Sequence, residues 1–276
     1  MFEYTQGFVK VNSINIHYYR TGGSKPPIIL LHGATDNGLC WTSVAELLAE
    51  QYDVIMPDAQ GHGLSGRIDK GFTFINHAHQ IVGLVQKLDI TDPIIMGHSM
   101  GAGTTINIAV NYPDIPKAII LEDPAWRSQK SIESEDEDER VKQQEAFIKS
   151  YVGLSSLTRE ELIAECRESN PLWPEADIIP WAESKLQFDP ALFSSMHIDR
   201  PSYIELVPKI TCPTLLITSD GGIVAAETAR HASSLFKAEQ PLQWVEIKGA
   251  GHNIRREQFK TFYDTLNKFL GDLYLH

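Results

Sequence analysis

The chain has 276 residues, of which 42% are hydrophobic and 22% charged, enough for a buried core in one domain or in one domain with an insert. Its net charge of −12 at pH 7 argues against nucleic acid as a partner and against an acidic membrane surface. The three cysteines, Cys40, Cys166 and Cys212, form no C-x-x-C pair, so neither a disulfide framework nor a zinc site is predicted.

The amino terminus has no basic start followed by an apolar run, and no apolar run approaches the length of a membrane span. The histidines lack the H-E-x-x-H spacing of a zinc helix. We therefore expect a protein of the reducing cytoplasm that has no metal, no organic cofactor and no membrane partner. The sequence is also compatible with a homodimer.

The first 125 residues predict strands that alternate with helices. Residues 8–11 and 14–20 predict a hairpin around Asn12 and Ser13. Apolar runs then predict strands, and apolar residues at helical spacing predict helices; the strands are 28–31, 52–57, 94–97 and 117–122, and the helices are 44–50, 73–88 and a run that ends at Tyr112. Strands that are apolar on both faces are typical of a parallel sheet with helices on both sides.

Between residues 126 and 208 this alternation stops. An acidic run at 131–140 is followed by helix-like segments at 143–151 and 158–168, then by prolines interspersed with Trp173 and Trp181. Strands return at 213–218 and 243–247, and a last helix begins near Glu257. The pattern predicts a core in two parts, 1–125 and 209–276, with a helical insert at 126–208 lying over the ends of the sheet.

The strand at 94–97 leads into a sequence that can present a nucleophile. Residues 97–101 read Gly-His-Ser-Met-Gly and fit the G-x-S-x-G pattern, with a buried strand before it and a helix of small residues after it. Such a turn is strained, and it needs glycine on both sides because a Cβ would collide with a neighbouring strand or helix. Ser99 is therefore the candidate nucleophile.

Three further motifs occur in a fixed order around this one. His32 and Gly33 follow an apolar strand, residues 58–65 fit D-x-x-G-x-G-x-S, and residues 249–252 read Gly-Ala-Gly-His. In this order the chain resembles the α/β-hydrolase superfamily over nearly its whole length. The resemblance implies a mostly parallel eight-stranded sheet with helices on both faces, and a helical cap at 126–208.

The chemistry of a serine nucleophile requires a base, an acid and an oxyanion hole. His252, on a glycine-flanked loop after the last strand, is the candidate base for Ser99. The N–H of Met100 is expected to be one oxyanion donor; by resemblance Ala34 supplies the other, with Thr35 as a substitute. The remaining motif histidines are expected to hold loops, namely His32, His62 and His98.

The triad acid is ambiguous in the sequence. The family most often places it in the loop after the strand at 213–218, but the usual slot here falls on Gly221 or Gly222, with Asp220 slightly early. Some members place it after the preceding strand, where Asp123 lies with Glu122 beside it. Glycine in the later slot favours Asp123 slightly over Asp220, and either carboxylate would orient the His252 imidazole.

Aromatic residues of the insert are candidates to line an apolar pocket for a substrate, although each is explained as readily as core of the insert. The candidates are Trp126, Trp173, Trp181, Phe188, Phe193 and Met196.

A serine in the G-x-S-x-G turn, the nucleophile elbow, predicts a hydrolase of a carboxylic ester or lactone that works through an acyl-serine intermediate. Haloalkane dehalogenases and epoxide hydrolases of this superfamily need a carboxylate nucleophile and are disfavoured. Two alternatives keep the same residues: hydrolysis of a carbon–carbon bond next to a carbonyl, and a ligand receptor with little turnover.

Overall fold

A computed structural model of the chain describes residues 3–67, 72–126, 137–195, 202–239 and 242–274. Eight strands form one sheet: β1 (Thr5–Val11), β2 (Ile14–Arg20), β3 (Pro27–Leu31), β4 (Asp53–Pro57), β5 (Ile94–His98), β6 (Ala118–Glu122), β7 (Thr214–Ser219) and β8 (Gln243–Ile247). Their order is β1-β2-β4-β3-β5-β6-β7-β8. β2 is antiparallel to both β1 and β4, and the six strands from β4 to β8 are parallel.

The described helices are α1 (Thr42–Leu48), α2 (Phe74–Lys87), α3 (Met100–Asn111), α4 (Glu137–Ser155), α5 (Arg159–Ser169), α6 (Glu175–Gln187), α7 (Ala191–Ser195), α8 (Tyr203–Leu206), α9 (Ala226–Leu235), α10 (Ile254–Glu257) and α11 (Phe259–Asp272). α1 and α11 cover one face of the sheet with side chains such as Leu48 and Phe262, and α2, α3 and α9 cover the other. The α/β architecture expected from the sequence is confirmed.

The central strands are buried on both faces because helices cover both. Every residue of β5, β6 and β7 is buried, and β3 is buried from Ile28 onwards. The register places Ile29 beside Ile95 and Ile95 beside Ile119, so branched side chains stack across three strands. This rigid centre fixes the positions of the loops that leave its carboxyl-terminal edge.

Several helices lie where the sequence pattern predicts none, and the two longest of them are α6 and α9. α6 contains Pro180, which removes one backbone N–H from the helix. Packing compensates, because Ile178, Trp181 and Ala182 are buried against α5 and its neighbours. α9 has a polar sequence in which only a narrow stripe is apolar, and that stripe packs on β7 and β8.

The helices α4 to α7 follow β6 and precede β7, in the part of the chain that the sequence assigns to an insert. α8 also falls within 126–208, but Tyr203 and Val207 pack with Ile106 and Leu216 of the sheet core. Within the described residues, the helices of this part of the chain that stay outside that core cluster are therefore α4 to α7, which end at Ser195. Among the described helices none is long and apolar enough to span a lipid bilayer.

Candidate active site

The candidate residues meet at one edge of the sheet because they follow the carboxyl ends of parallel strands. Ser99 follows β5 and Asp123 follows β6, while His252 lies in the loop after β8. The segment after β3, which includes Ala34, lies beside them and lines the same cavity as Ser99 and His252.

The turn at Ser99 is strained. The backbone of Ser99 has φ 52° and ψ −111°, outside the regions favoured by L-residues, and its N–H donates to the carbonyl oxygen of Glu122 at 3.0 Å. A Cβ at Gly97 would collide with the backbone of Gly101, and a Cβ at Gly101 would collide with the Leu31 carbonyl. The two glycines therefore let the turn pack against β3, which leaves the Ser99 side chain partly exposed.

His252 is held by a buried carboxylate. Its Nδ1 lies 2.6 Å from Oδ2 of Asp123, which is fully buried. The carboxylate also accepts the N–H groups of Ile223 at 2.8 Å and Val224 at 3.0 Å. Because an ionised carboxylate only accepts hydrogen bonds, Nδ1 carries the proton and Nε2 is the basic nitrogen of His252.

The two other acidic candidates have different partners. Asp220 is exposed, and its Oδ1 accepts the N–H of Gly249 at 2.8 Å, as a turn aspartate does. Glu122 is buried and accepts both the N–H of Arg255 at 2.9 Å and its guanidinium at 3.1 Å. Of the three carboxylates that the sequence left open, the structure brings Asp123 to the His252 ring.

The absence of a side chain at Gly222 leaves room for the Asp123 carboxylate. A Cβ built on Gly222 would lie 2.6 Å from Oδ2 and 2.8 Å from Oδ1 of Asp123. The glycine in the loop after β7 therefore leaves the space that the carboxylate from β6 fills. Asp123 itself has φ 40°, a left-handed conformation in which aspartate is more frequent than most residues.

The backbone groups named for the oxyanion hole lie at two neighbouring places. Met100 is the first residue of α3, where an N–H has no acceptor within the helix and the helix dipole is positive. Ala34 and Thr35 line the cavity from the loop after β3. The His32 side chain holds this loop: Nδ1 lies 2.8 Å from the Gly33 carbonyl oxygen, and Nε2 accepts the N–H of Ala59 at 2.9 Å.

His98 fixes the backbone of the loop after β8, which carries His252. Its Nε2 lies 2.9 Å from the carbonyl oxygen of His252, so Nε2 carries the proton that it donates. Burial holds the pKa of His98 well below 6.5, and Arg255 lowers it further. A neutral His98 thus sits next to the candidate base and adds no charge to it.

The cavity beside Ser99 and His252 has a volume of about 230 Å³. The insert contributes Trp173 and Trp181 to its wall, together with Tyr151, Leu154 and Lys185. The loop after β8 contributes Asn253, and α10 contributes Arg256. No sequence pattern singles out Asn253 or Arg256, because both residue types are common on any polar helix or loop.

Trp126 lies elsewhere, and the expectation that it lines the pocket is wrong for the cavity lined by Ser99. Its ring stacks on Tyr203 with centroids 5.5 Å apart, in the core cluster between α3 and α8. Phe188 and Phe193 pack behind the cavity wall, each against Tyr151. Met196 lies outside the described residues.

A buried charge network forms part of the cavity wall. Asp36 lies 3.1 Å from Lys185 of α6 and 3.1 Å from Arg256 of α10. Burial alone would raise the pKa of Asp36, but Arg256, Lys185 and Arg255 hold it well below its ordinary value. The Asp36 carboxylate is therefore charged, and it links α6 and α10 to the loop after β3. Three-residue clusters of His, Cys, Asp or Glu suited to a metal ion are absent from the described residues.

The buried histidines predict a fall in stability on mild acidification. Desolvation lowers the pKa of His77 to about 3, and it lowers the pKa values of His32, His62 and His98 as well. Below about pH 6.5 the unfolded chain binds protons at these rings and the folded chain does not, so the free energy of unfolding decreases as pH falls. Each such ring contributes up to about 1.4 kcal/mol per pH unit.

We expect His77→Gln to reduce the slope of unfolding free energy against pH between pH 6 and 5 by about 1.4 kcal/mol per unit. Urea unfolding at a series of pH values measures the slope. His79→Gln is the control, because His79 lies on the same helix with its ring exposed. An unchanged slope in His77→Gln would contradict the assignment.

Comparison with known proteins gives one family. The family described as "alpha/beta hydrolase fold" matches residues 26–255. An uncharacterized protein of Mycobacterium bovis is 36% identical over 103 residues, a match that covers 37% of this chain and 30% of that protein. The 2-(acetamidomethylene)succinate hydrolase of Mesorhizobium japonicum is 32% identical over 104 residues, covering 38% of this chain and 37% of the relative. The chain thus spans about a third of the length of these relatives.

Other relatives match along nearly their whole length. The N-formylmaleamate deformylase of Pseudomonas putida is 25% identical over 274 residues, with 96% of each chain covered. The solved structure of an E-2-(acetamidomethylene)succinate hydrolase superimposes with a TM-score of 0.82 at 21% identity, covering 98% of this chain and all of that one. The enol-lactonase of Burkholderia xenovorans superimposes with a TM-score of 0.71 at 22% identity, covering 96% and 100%.

Proposed function

Since the chain belongs to the α/β-hydrolase family, we propose that it is a serine hydrolase that cleaves a carboxylic ester or lactone through an acyl-serine intermediate. The observation that carries the proposal is the 2.6 Å contact between the His252 ring and the buried Asp123 carboxylate, beside a serine in a strained elbow. Both His252 and Ser99 face the same cavity.

In the proposed reaction, Ser99 Oγ attacks the carbonyl carbon while His252 Nε2 takes the hydroxyl proton. The negative charge that develops on the carbonyl oxygen is stabilised by the N–H groups of Met100 and Ala34. His252 then gives its proton to the leaving alkoxide, which departs as an alcohol. Water attacks the acyl-serine in the same way, which releases the acid and restores Ser99. Asp123 stabilises the imidazolium in both steps.

The size of the cavity restricts the substrate. At about 230 Å³ it lies below the usual range for sites that hold drug-sized ligands, and two tryptophan rings form part of its wall. We therefore propose a small acyl group. The free, buried thiols of Cys40, Cys166 and Cys212 are compatible with work in the cytoplasm, which is part of the proposal.

A second candidate is hydrolysis of an N-acyl bond. It is favoured by the full-length relative from Pseudomonas putida, whose name is N-formylmaleamate deformylase. The same residues would act, with His252 giving its proton to a leaving nitrogen instead of an oxygen.

The proposal is tested by a panel of nitrophenyl esters of increasing chain length, lactones, N-formyl and N-acetyl amides, and a ring-cleavage diketone. We expect kcat/KM for the butyrate ester to exceed that for the laurate ester by at least about tenfold, because the longer chain does not fit. Preference for the amides would support the second candidate, and preference for the diketone would support carbon–carbon hydrolysis.

Labelling by a fluorophosphonate tests whether Ser99 is a reactive nucleophile, and together with the panel it separates an enzyme from a binding protein. A chain that is labelled at Ser99 but turns over none of the panel would point to a receptor with little turnover. A chain that is not labelled at all would overturn the proposed acyl-serine mechanism.

A further inference from the structure

Lys185 of α6 buries an ammonium group against the loop after β3. Its side chain is 4% exposed, and its Nζ donates to the Thr35 carbonyl oxygen at 2.9 Å, to Thr35 Oγ1 at 3.1 Å and to Asp36 Oδ1 at 3.1 Å. Burial of a charged amine is costly unless its protons are bonded and its charge is paired. Three of its four oxygen partners belong to the two residues directly after Ala34, and the fourth is the Ser184 hydroxyl at 3.3 Å.

Thr35 needs such support because its backbone is in an unfavourable conformation. Its φ is 62°, in the left-handed region, where a β-branched residue is rare. A residue in this region costs on the order of 1–3 kcal/mol and persists only where its surroundings hold it. The ammonium of Lys185 bonds to the carbonyl and hydroxyl of that same residue, and so holds in place the residue that follows Ala34.

The same helix is fixed to the core at both ends of this contact. The backbone N–H and hydroxyl of Ser43 donate to Asp177 Oδ1 at 3.1 and 2.8 Å, and the Asn37 amide donates to Gln187 at 2.8 Å. Between these anchors Trp181, which lines the cavity, lies with its ring centroid 4.9 Å from the Lys185 ammonium. One helix therefore carries both a wall of the cavity and the support of the loop.

We propose that Lys185 is a positioning residue through which the helical insert holds the Ala34 N–H in place for the oxyanion, so that the hole is complete only when α6 is seated on the core. The proposal rests on the proposed function. Lys185 acts through Thr35 and Asp36, since its ammonium is already bonded to the protein. Arg256 of α10 also binds Asp36, so the same carboxylate is held from the helix that follows His252.

Lys185→Met tests the proposal, because methionine keeps an unbranched side chain and removes the ammonium. We expect kcat to fall by about 100-fold, the scale of losing an oxyanion donor, while KM stays within about threefold. Affinity for an alkylboronic acid, which adds to the serine as a tetrahedral anion, should fall in parallel with kcat. Affinity for the product acid should not change. Lys185→Arg should recover part of the loss, because it restores a cation.

Lys149→Met is the matched control, since Lys149 lies exposed on α4 of the same insert, and it should behave as wild type. Hydrogen exchange of a peptide covering residues 32–38 should become faster in Lys185→Met but not in the control. If Lys185→Met does not fold, Lys185→Gln supports the same measurements with a polar side chain.

Wild-type kcat in the folded variant would overturn the proposal, as would a change confined to KM with unaltered boronic acid affinity. Failure of the proposed function is visible separately, as a wild-type chain that neither turns over substrate nor reacts with fluorophosphonate. In that case, the hydrogen exchange of residues 32–38 in Lys185→Met and in Lys149→Met still tests whether Lys185 holds the loop after β3.

Discussion

Ser99→Ala is expected to lower kcat by about 10⁵- to 10⁶-fold while the fold is kept, because the substitution removes the one atom that forms the covalent intermediate. Alanine carries a Cβ like serine, so the strained turn between Gly97 and Gly101 keeps its packing. What remains of catalysis would come from the oxyanion hole and from binding alone, which typically leave a rate about 10³–10⁴-fold above water.

Steady-state kinetics on the best ester of the panel measure the fall in kcat. Fluorophosphonate labelling reports directly whether residue 99 is the nucleophile. Ser155→Ala serves as the control, since Ser155 lies exposed at the end of α4 and its hydroxyl bonds only within its own helix. Retained turnover in Ser99→Ala would remove the acyl-serine mechanism. Labelling of that variant at another residue would identify a different nucleophile.

Asp123→Asn is expected to lower kcat by about 10⁴-fold, because an amide in place of the carboxylate favours the wrong tautomer of His252 and leaves the imidazolium without a counter-charge. Asparagine is the suitable replacement. It tolerates the left-handed backbone at φ 40°, where alanine would add strain, and its oxygen can still accept the N–H of Ile223 or Val224.

Asp220→Asn is the control for this prediction, and it is expected to keep near wild-type kcat because its side chain bonds to the Gly249 N–H at the surface. The loss in Asp123→Asn should appear in kcat across the pH range, while thermal unfolding stays close to wild type. If instead Asp220→Asn loses activity and Asp123→Asn does not, the triad acid comes from the loop after β7 and that loop must rearrange.

The sequence predicted the strands and the elbow well because both depend on local pattern. Runs such as residues 28–31 and 118–121 are apolar on both faces, which is typical of a parallel strand covered on both sides. G-x-S-x-G carries its own geometry, since glycines are required where a Cβ would collide. The hairpin at the start of the chain was recognised for the same reason, by alternation around a short turn.

Features that depend on tertiary packing could not be predicted. α6 was missed because Pro180 reads as a helix breaker, although burial of Trp181 and Ile178 outweighs the lost hydrogen bond. Lys185 gave no signal at all, since its partners lie 150 residues away in the chain. The glycines at 221 and 222 favour Asp123 only slightly in the sequence, because the space above Gly222 that the carboxylate fills is a feature of the folded chain.

The close fit between Gly222 and the Asp123 carboxylate also restricts which substitutions this chain can accept at 222. A side chain cannot be added at 222 while Asp123 is in place, since the new Cβ would stand 2.6 Å from a carboxylate oxygen. A side chain at 222 and a carboxylate at 123 therefore exclude each other in this chain, so moving the acid to 222 would require two codons to change.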